Sequence, residues 1–76
     1  MGDLDRIRWQ CRRGLLELDL VLNRFIEAEL ESLSQRELGV FKAFLGENDT
    51  SLLAWVMGQE EPPVQYAALV RQLQQQ

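Results

Sequence analysis

Apolar residues along this chain recur every three or four positions, and the strict alternation of a half-buried strand is nearly absent. Leu4, Ile7 and Cys11 make one face of a first helix. Leu15, Leu18, Leu22 and Phe25 carry the same period onward, with Ile26 and Leu30 beside them. Gly14 interrupts the pattern. Arg12 and Arg13 just before it complement the negative C-terminal end of a helix, and Glu17 just after it suits the first turn of the next. The spacing therefore predicts two helices meeting at Gly14, over residues 3–13 and 15–31, with one long helix containing a glycine as the alternative.

Ser34-Gln35-Arg36-Glu37 fits a capping box, and Leu33 and Leu38 stand where a hydrophobic staple would flank it. A third helix over 35–45 follows, burying Leu38, Phe41 and Leu45 with Phe44 alongside, and ending at Gly46. Asp49 is expected to cap a short fourth helix, 50–57, which carries Leu52, Leu53, Trp55, Val56 and Met57 and closes at Gly58. Pro62-Pro63 breaks the chain and opens a fifth helix over 63–73, striped by Tyr66, Leu69, Val70 and Leu73. With no internal repeat and no long linker, residues 1–76 read as an all-α, single compact five-helix domain with short loops.

Size changes what such a domain can do. A chain of 76 residues buries only about 60% of the surface it exposes when unfolded, so its core is thin and function belongs on the exterior. The net charge of −4 disfavours nucleic acid, which needs clustered Lys and Arg against phosphate. The charge is unevenly spread. Arg6, Arg8, Arg12 and Arg13 fall in an acid-free stretch, whereas from Phe25 onward three basic residues face eight acidic ones. A basic patch on an acidic protein points to a specific protein partner.

The apolar run Leu52-Leu53-Ala54-Trp55-Val56-Met57 is far short of the roughly 20 residues that span a bilayer. The start, Met1-Gly2-Asp3-Leu4-Asp5-Arg6, has no apolar signal region, and Arg6 stands where myristoylation wants Ser or Thr. The single cysteine precludes an internal disulfide and fits a reducing compartment. The expectation is a soluble, cytoplasmic protein without membrane insertion, a monomer when alone.

Candidate chemistry is sparse. There is no histidine, which removes the commonest general base and the commonest metal ligand. Cys11 lies on the apolar face, where a lone cysteine is usually a small core hydrophobe. Glu27 and Glu31 share a helical face, but two carboxylates without further ligands are a solvated surface. No glycine-rich phosphate loop exists. No catalytic residue, no metal and no stably bound cofactor is expected.

The informative stretch runs from Trp9 through Arg12-Arg13-Gly14 to Glu17 and Asp19. One reading is structural: the arginines cap a helix, Gly14 makes a turn, and Glu17 pairs with Arg13 for a few tenths of a kcal/mol. The other is functional. Arg8 and Arg12 stand four apart, a like-charge spacing unfavourable in a helix, and a glycine beside them lets a partner's backbone approach. Trp9 lies off the Leu4–Ile7–Cys11 face. A tryptophan is more often core than exposed, yet an exposed one beside arginine has the composition of an interface hot spot. Trp55, in the most apolar segment, reads as core.

Arg13-Gly14-Leu15-Leu16-Glu17 matches the Arg-Gly-x-x-Glu motif of the flavinator family, the succinate dehydrogenase assembly factors. Trp9, the doubled Arg12-Arg13 and Leu18-Asp19 resemble its bacterial members. Leu33-Ser34 with Glu37, then Asp49-x-x-Leu52-x-x-Trp55, resemble the family's second half. The resemblance covers roughly residues 6–58 and rests on these features together, because the five-residue motif alone occurs by chance.

What the resemblance implies is a five-helix fold and a chaperone-like task. The partner would be the flavoprotein subunit of succinate dehydrogenase, and in bacteria that of fumarate reductase. The task would be to promote a bond between the 8α-methyl carbon of FAD and a histidine of that subunit. FAD would be held by the partner, and the acceptor must lie there too, since this chain has no histidine. On this footing Arg13 would pair with a partner carboxylate or carbonyl, Gly14 would permit close approach, and Glu17 would orient Arg13 or accept a partner hydrogen bond. Arg12, Asp19 and Trp9 would extend the contact. The alternative is a regulatory interaction module, such as the antitoxin-like role once assigned to bacterial members.

Overall fold

Helix α1 spans Asp3–Gln10 and ends sooner than the apolar spacing predicts. Cys11 caps it, the Arg12 N–H reaches back to the Trp9 carbonyl, and Gly14 at φ +79° turns the chain away. That left-handed backbone is open to glycine without the Cβ clash other residues meet, so two helices form here rather than one. Helix α2 follows over Leu16–Glu29 and tightens into a 3₁₀ turn at Leu30–Ser32. The structure, a computed structural model, describes residues 2–75, apart from the side chains of Asp3 and Leu4. The expected place of Leu4 on the first apolar face lies outside the described residues.

Helix α3, Gln35–Leu45, begins at a complete capping box. The Ser34 hydroxyl accepts from the Glu37 N–H at 3.1 Å, and the Glu37 carboxylate accepts from the Ser34 N–H at 2.9 Å. The bond from the Ser34 backbone holds the Glu37 carboxyl below its usual range. Leu33 and Leu38, the predicted staple, are both half-buried against the core.

Helix α4, Asp49–Val56, corrects one expectation: Asn48, not Asp49, is its cap. The Asn48 side-chain oxygen accepts from the Ser51 N–H at 2.9 Å, which leaves the Asp49 carboxylate for another partner. Gly58, at φ +77°, ends the α4 region. A 3₁₀ turn at Val64–Tyr66 after Pro62-Pro63 leads into α5, Ala67–Gln74. The architecture is all-α, with no strand among the described residues.

One core joins all five helices. Ile7 and Cys11 reach it from the α1 side, Leu18, Leu22, Phe25 and Ile26 from α2, and Phe41, Phe44 and Leu45 from α3. Trp55 is buried, as its segment predicts, in a mutual cluster with Phe44 and Tyr66 whose ring centroids lie 5.4–6.0 Å apart. Phe25 and Phe41 form a second pair at 5.2 Å. The Tyr66 hydroxyl emerges to donate to Glu47 at 3.0 Å, which satisfies the polar end of an otherwise buried ring. Among the described residues, no polar or charged residue is buried in this core.

Candidate partner-binding site

Six residues carry the sequence-level site, and the fold sorts them into two groups. Trp9, Arg12, Gly14 and Glu17 are exposed, while Arg13 and Asp19 are drawn inward. The sorting follows from the turn. Residues 11–15 cross between α1 and α2 with two consecutive N–H groups, those of Arg13 and Gly14, pointing to one side. The Asp19 carboxylate takes both, Oδ1 accepting from Arg13 at 2.9 Å and Oδ2 from Gly14 at 3.1 Å. Successive backbone N–H groups around a left-handed residue form an anion-binding concavity, and here the anion is the chain's own. Asp19 therefore fixes the turn from within.

Arg13 is bound still more fully. Its Nε donates to the Gln10 carbonyl at 2.7 Å, its Nη1 to Asp49 Oδ1 at 2.9 Å, and its Nη2 to the Leu45 carbonyl. Only 16% of the side chain is exposed. The predicted exposed pairing of Arg13 with Glu17 does not form; the ion pair is to Asp49. The guanidinium fork thus ties three places together: the end of α1, the end of α3 and the start of α4. The two carbonyls it reaches, at and near helix C-termini, are among the groups a helix leaves without an internal partner. A charged donor is the stronger way to satisfy them.

Trp9 is 71% exposed, so of the two alternatives left open for it the exposed one holds: it lies off the helix face that carries Ile7 and Cys11. The Arg12 guanidinium sits 5.9 Å from the centre of its ring, within range of a cation–π contact. Arg8, Trp9 and Arg12 on one side and Asn23 and Glu27 of α2 on the other line an open groove of about 340 Å³. Leu16, 76% exposed, and Leu20, 47% exposed, continue an apolar strip on α2. The sequence reading did not single these two out. Their signal was available, because both fall off the Leu15–Leu18–Leu22 stripe at a spacing of four.

Burial pushes the Cys11 thiol up to about 12, against a smaller opposing pull from the Arg13 charge, so it stays neutral and unreactive. No group of three or more potential metal ligands gathers among the described residues. No helix among them is long and apolar enough to cross a membrane.

Fold and site together define a small helical module whose distinctive polar groups are gathered at one exterior turn. The chain belongs to the flavinator family: the family model described as flavinator of succinate dehydrogenase matches residues 5–76. It is 48% identical over 65 residues to the FAD assembly factor SdhE of Legionella pneumophila (strain Lens), covering 86% of this chain and 82% of that one. It is 39% identical over 71 residues to the FAD assembly factor SdhE of Coxiella burnetii, covering 92% and 87%. It is 51% identical over 53 residues to the FAD assembly factor SdhE of Vibrio cholerae, covering 70% of this chain and 62% of that one. No solved structure matches the chain significantly.

Proposed function

We propose that this protein is a non-catalytic assembly factor that binds the flavoprotein subunit of succinate dehydrogenase and promotes covalent attachment of FAD to a histidine of that subunit. The observation that carries the reading is the turn at Gly14, held from within by Asp19 and Arg13 while Gly14, Glu17, Arg12 and Trp9 face outward, in a chain of the flavinator family. The client supplies the nucleophilic histidine and holds the flavin, whose methyl carbon is the electrophile. This chain supplies a surface that favours the client conformation in which the two are aligned, a population shift followed by a gain from orientation. Trp9 and Arg12 would anchor the contact, and Arg6, Arg8 and Arg12, which make no ion pair among the described residues, suit an acidic client surface. Gly14 would admit the client backbone, and Glu17 would accept a hydrogen bond from it.

The test mixes the protein with apo-flavoprotein and FAD, denatures the sample, and measures flavin fluorescence that stays with the flavoprotein band. A marked acceleration by this protein, with no tight one-to-one complex between it and free FAD, is expected. Unchanged covalent yield would sink the proposal. Tight FAD binding by the isolated protein would replace it with a flavin carrier.

A further inference from the structure

Arg13 and Asp49 lie 36 residues apart, yet they form the ion pair that joins the docking turn to the α3–α4 corner. We propose that Asp49 is a positioning residue for client binding: through Arg13 it holds the α1–α2 turn in the one shape that presents Gly14 and Glu17 outward. This rests on the assembly-factor reading above, and it assigns Arg13 to the inside of the device rather than to the client contact.

The geometry makes the assignment. Each of the three nitrogens of the Arg13 guanidinium already makes a hydrogen bond within the chain, to Gln10, Asp49 or Leu45. A client carboxylate would have only the two remaining N–H groups to reach, on a side chain that is 16% exposed. Asp49 is not needed as the cap of α4, because Asn48 performs that task. Its carboxylate is therefore committed to a contact across the fold. The turn it secures has few anchors of its own: α1 is eight residues long and has no side-chain cap at its start. An isolated helix of that length is marginal in water. Without the Arg13–Asp49 link, the turn would keep Asp19 and the neutral carbonyls of Gln10 and Leu45 but lose its one ion pair, and it would sample other shapes more often. A client binds only the competent fraction, so its apparent affinity falls in proportion to that fraction.

The measurement is covalent flavin yield against concentration of this protein, for the parent, Asp49→Ala, Arg13→Ala and the double variant, with helix content followed by circular dichroism. Asp49→Ala is expected to raise the half-saturating concentration about tenfold, as it would if the competent fraction fell to a tenth. The yield at saturation should be nearly unchanged, because the client surface itself is intact. The double variant should be no worse than Arg13→Ala alone. If Asp49 merely stabilised the first turn of α4, its loss would be felt equally with and without Arg13, and that outcome overturns the proposal. So does an unchanged half-saturation in folded Asp49→Ala. If Arg13→Ala fails to fold, Asp49→Glu decides: its carboxylate restores half-saturation toward the parent if the link positions the turn, and failure to restore it counts against the link. A parent protein that never accelerates flavinylation would instead defeat the assembly-factor reading, which keeps the two failures apart.

Discussion

The two tryptophans of this chain sit in opposite circumstances. Trp55 is 8% exposed and locked among Phe44 and Tyr66, where α3, α4 and the approach to α5 meet. Trp9 is 71% exposed on α1, faced by the charge of Arg12 rather than by core rings. A side chain this large gains much from burial, so leaving one in water forgoes stability that the fold could have had. The difference divides the molecule into a region that holds it together and a region whose apolar surface has no use within the monomer. The second region is where Gly14, Glu17, Leu16 and Leu20 also lie exposed.

The largest test of that division is to truncate each tryptophan. Trp55→Ala removes the centre of the aromatic cluster and should cost about 3–5 kcal/mol. A domain this size has only some 4–11 kcal/mol in total, at the usual stability per residue. Trp55→Phe, a smaller loss, keeps the comparison measurable if the alanine variant does not fold. Trp9→Ala should change thermal stability by no more than about 0.5 kcal/mol, as exposed substitutions do. It should nevertheless raise the concentration needed for half-maximal flavinylation tenfold or more, the scale of an interface hot spot. A Trp9 variant that melts far below the parent, or that stimulates flavinylation normally, would erase the distinction.

How much of this was legible in the sequence depends on how local each signal is. The start of α3 was fully readable, since the capping box and staple are contained within residues 33–38. The cap of α4 was misplaced by one residue, because Asn48 and Asp49 are adjacent and both are good caps. Only the distant demand from Arg13 explains why Asp49 does something else. The inward orientation of Arg13 was not readable at all. Two of its acceptors are 32 and 36 residues away, and helical spacing says nothing about partners across the fold. The motif itself was visible as a pattern, but which of its members point out was settled by tertiary contacts.

Cys11 sharpens the comparison, because it stands two residues from Trp9 and belongs to the other region. It is fully buried, and Cys11→Ala should lower stability by about 1 kcal/mol while leaving flavinylation intact. Its ionisation adds a signature. Burial pushes the folded thiol up from its ordinary value of 9.0 to about 12, so between those limits the folded chain retains a proton that the unfolded chain has lost. Its contribution to stability is fully present below the unfolded value and falls as pH rises through that window. The parent should therefore lose stability more steeply above pH 9 than Cys11→Ala does, and alkylation of the native thiol near neutrality should be slow. Parallel pH curves for the two proteins would mean that the thiol is not shielded in solution.

The smallest expected difference, and the most discriminating on binding, is between two variants of Gly14. At φ +79° any side chain carries backbone strain, on the scale of about 1–2 kcal/mol for an ordinary L residue. A Cβ there meets no other atom of the chain within 4 Å, so length beyond the first carbon should add almost nothing. Gly14→Ala and Gly14→Gln are therefore expected to melt together, both below the parent. The proposed docking surface responds differently, because the longer side chain would occupy the space through which the client backbone approaches. Gly14→Gln should need several-fold more protein than Gly14→Ala for half-maximal flavinylation. Since their backbone strain is matched, that gap would measure encroachment on the client alone. Equal activity in the two variants would mean that nothing comes close to Gly14 in the complex, and that the glycine serves only to turn the chain between α1 and α2.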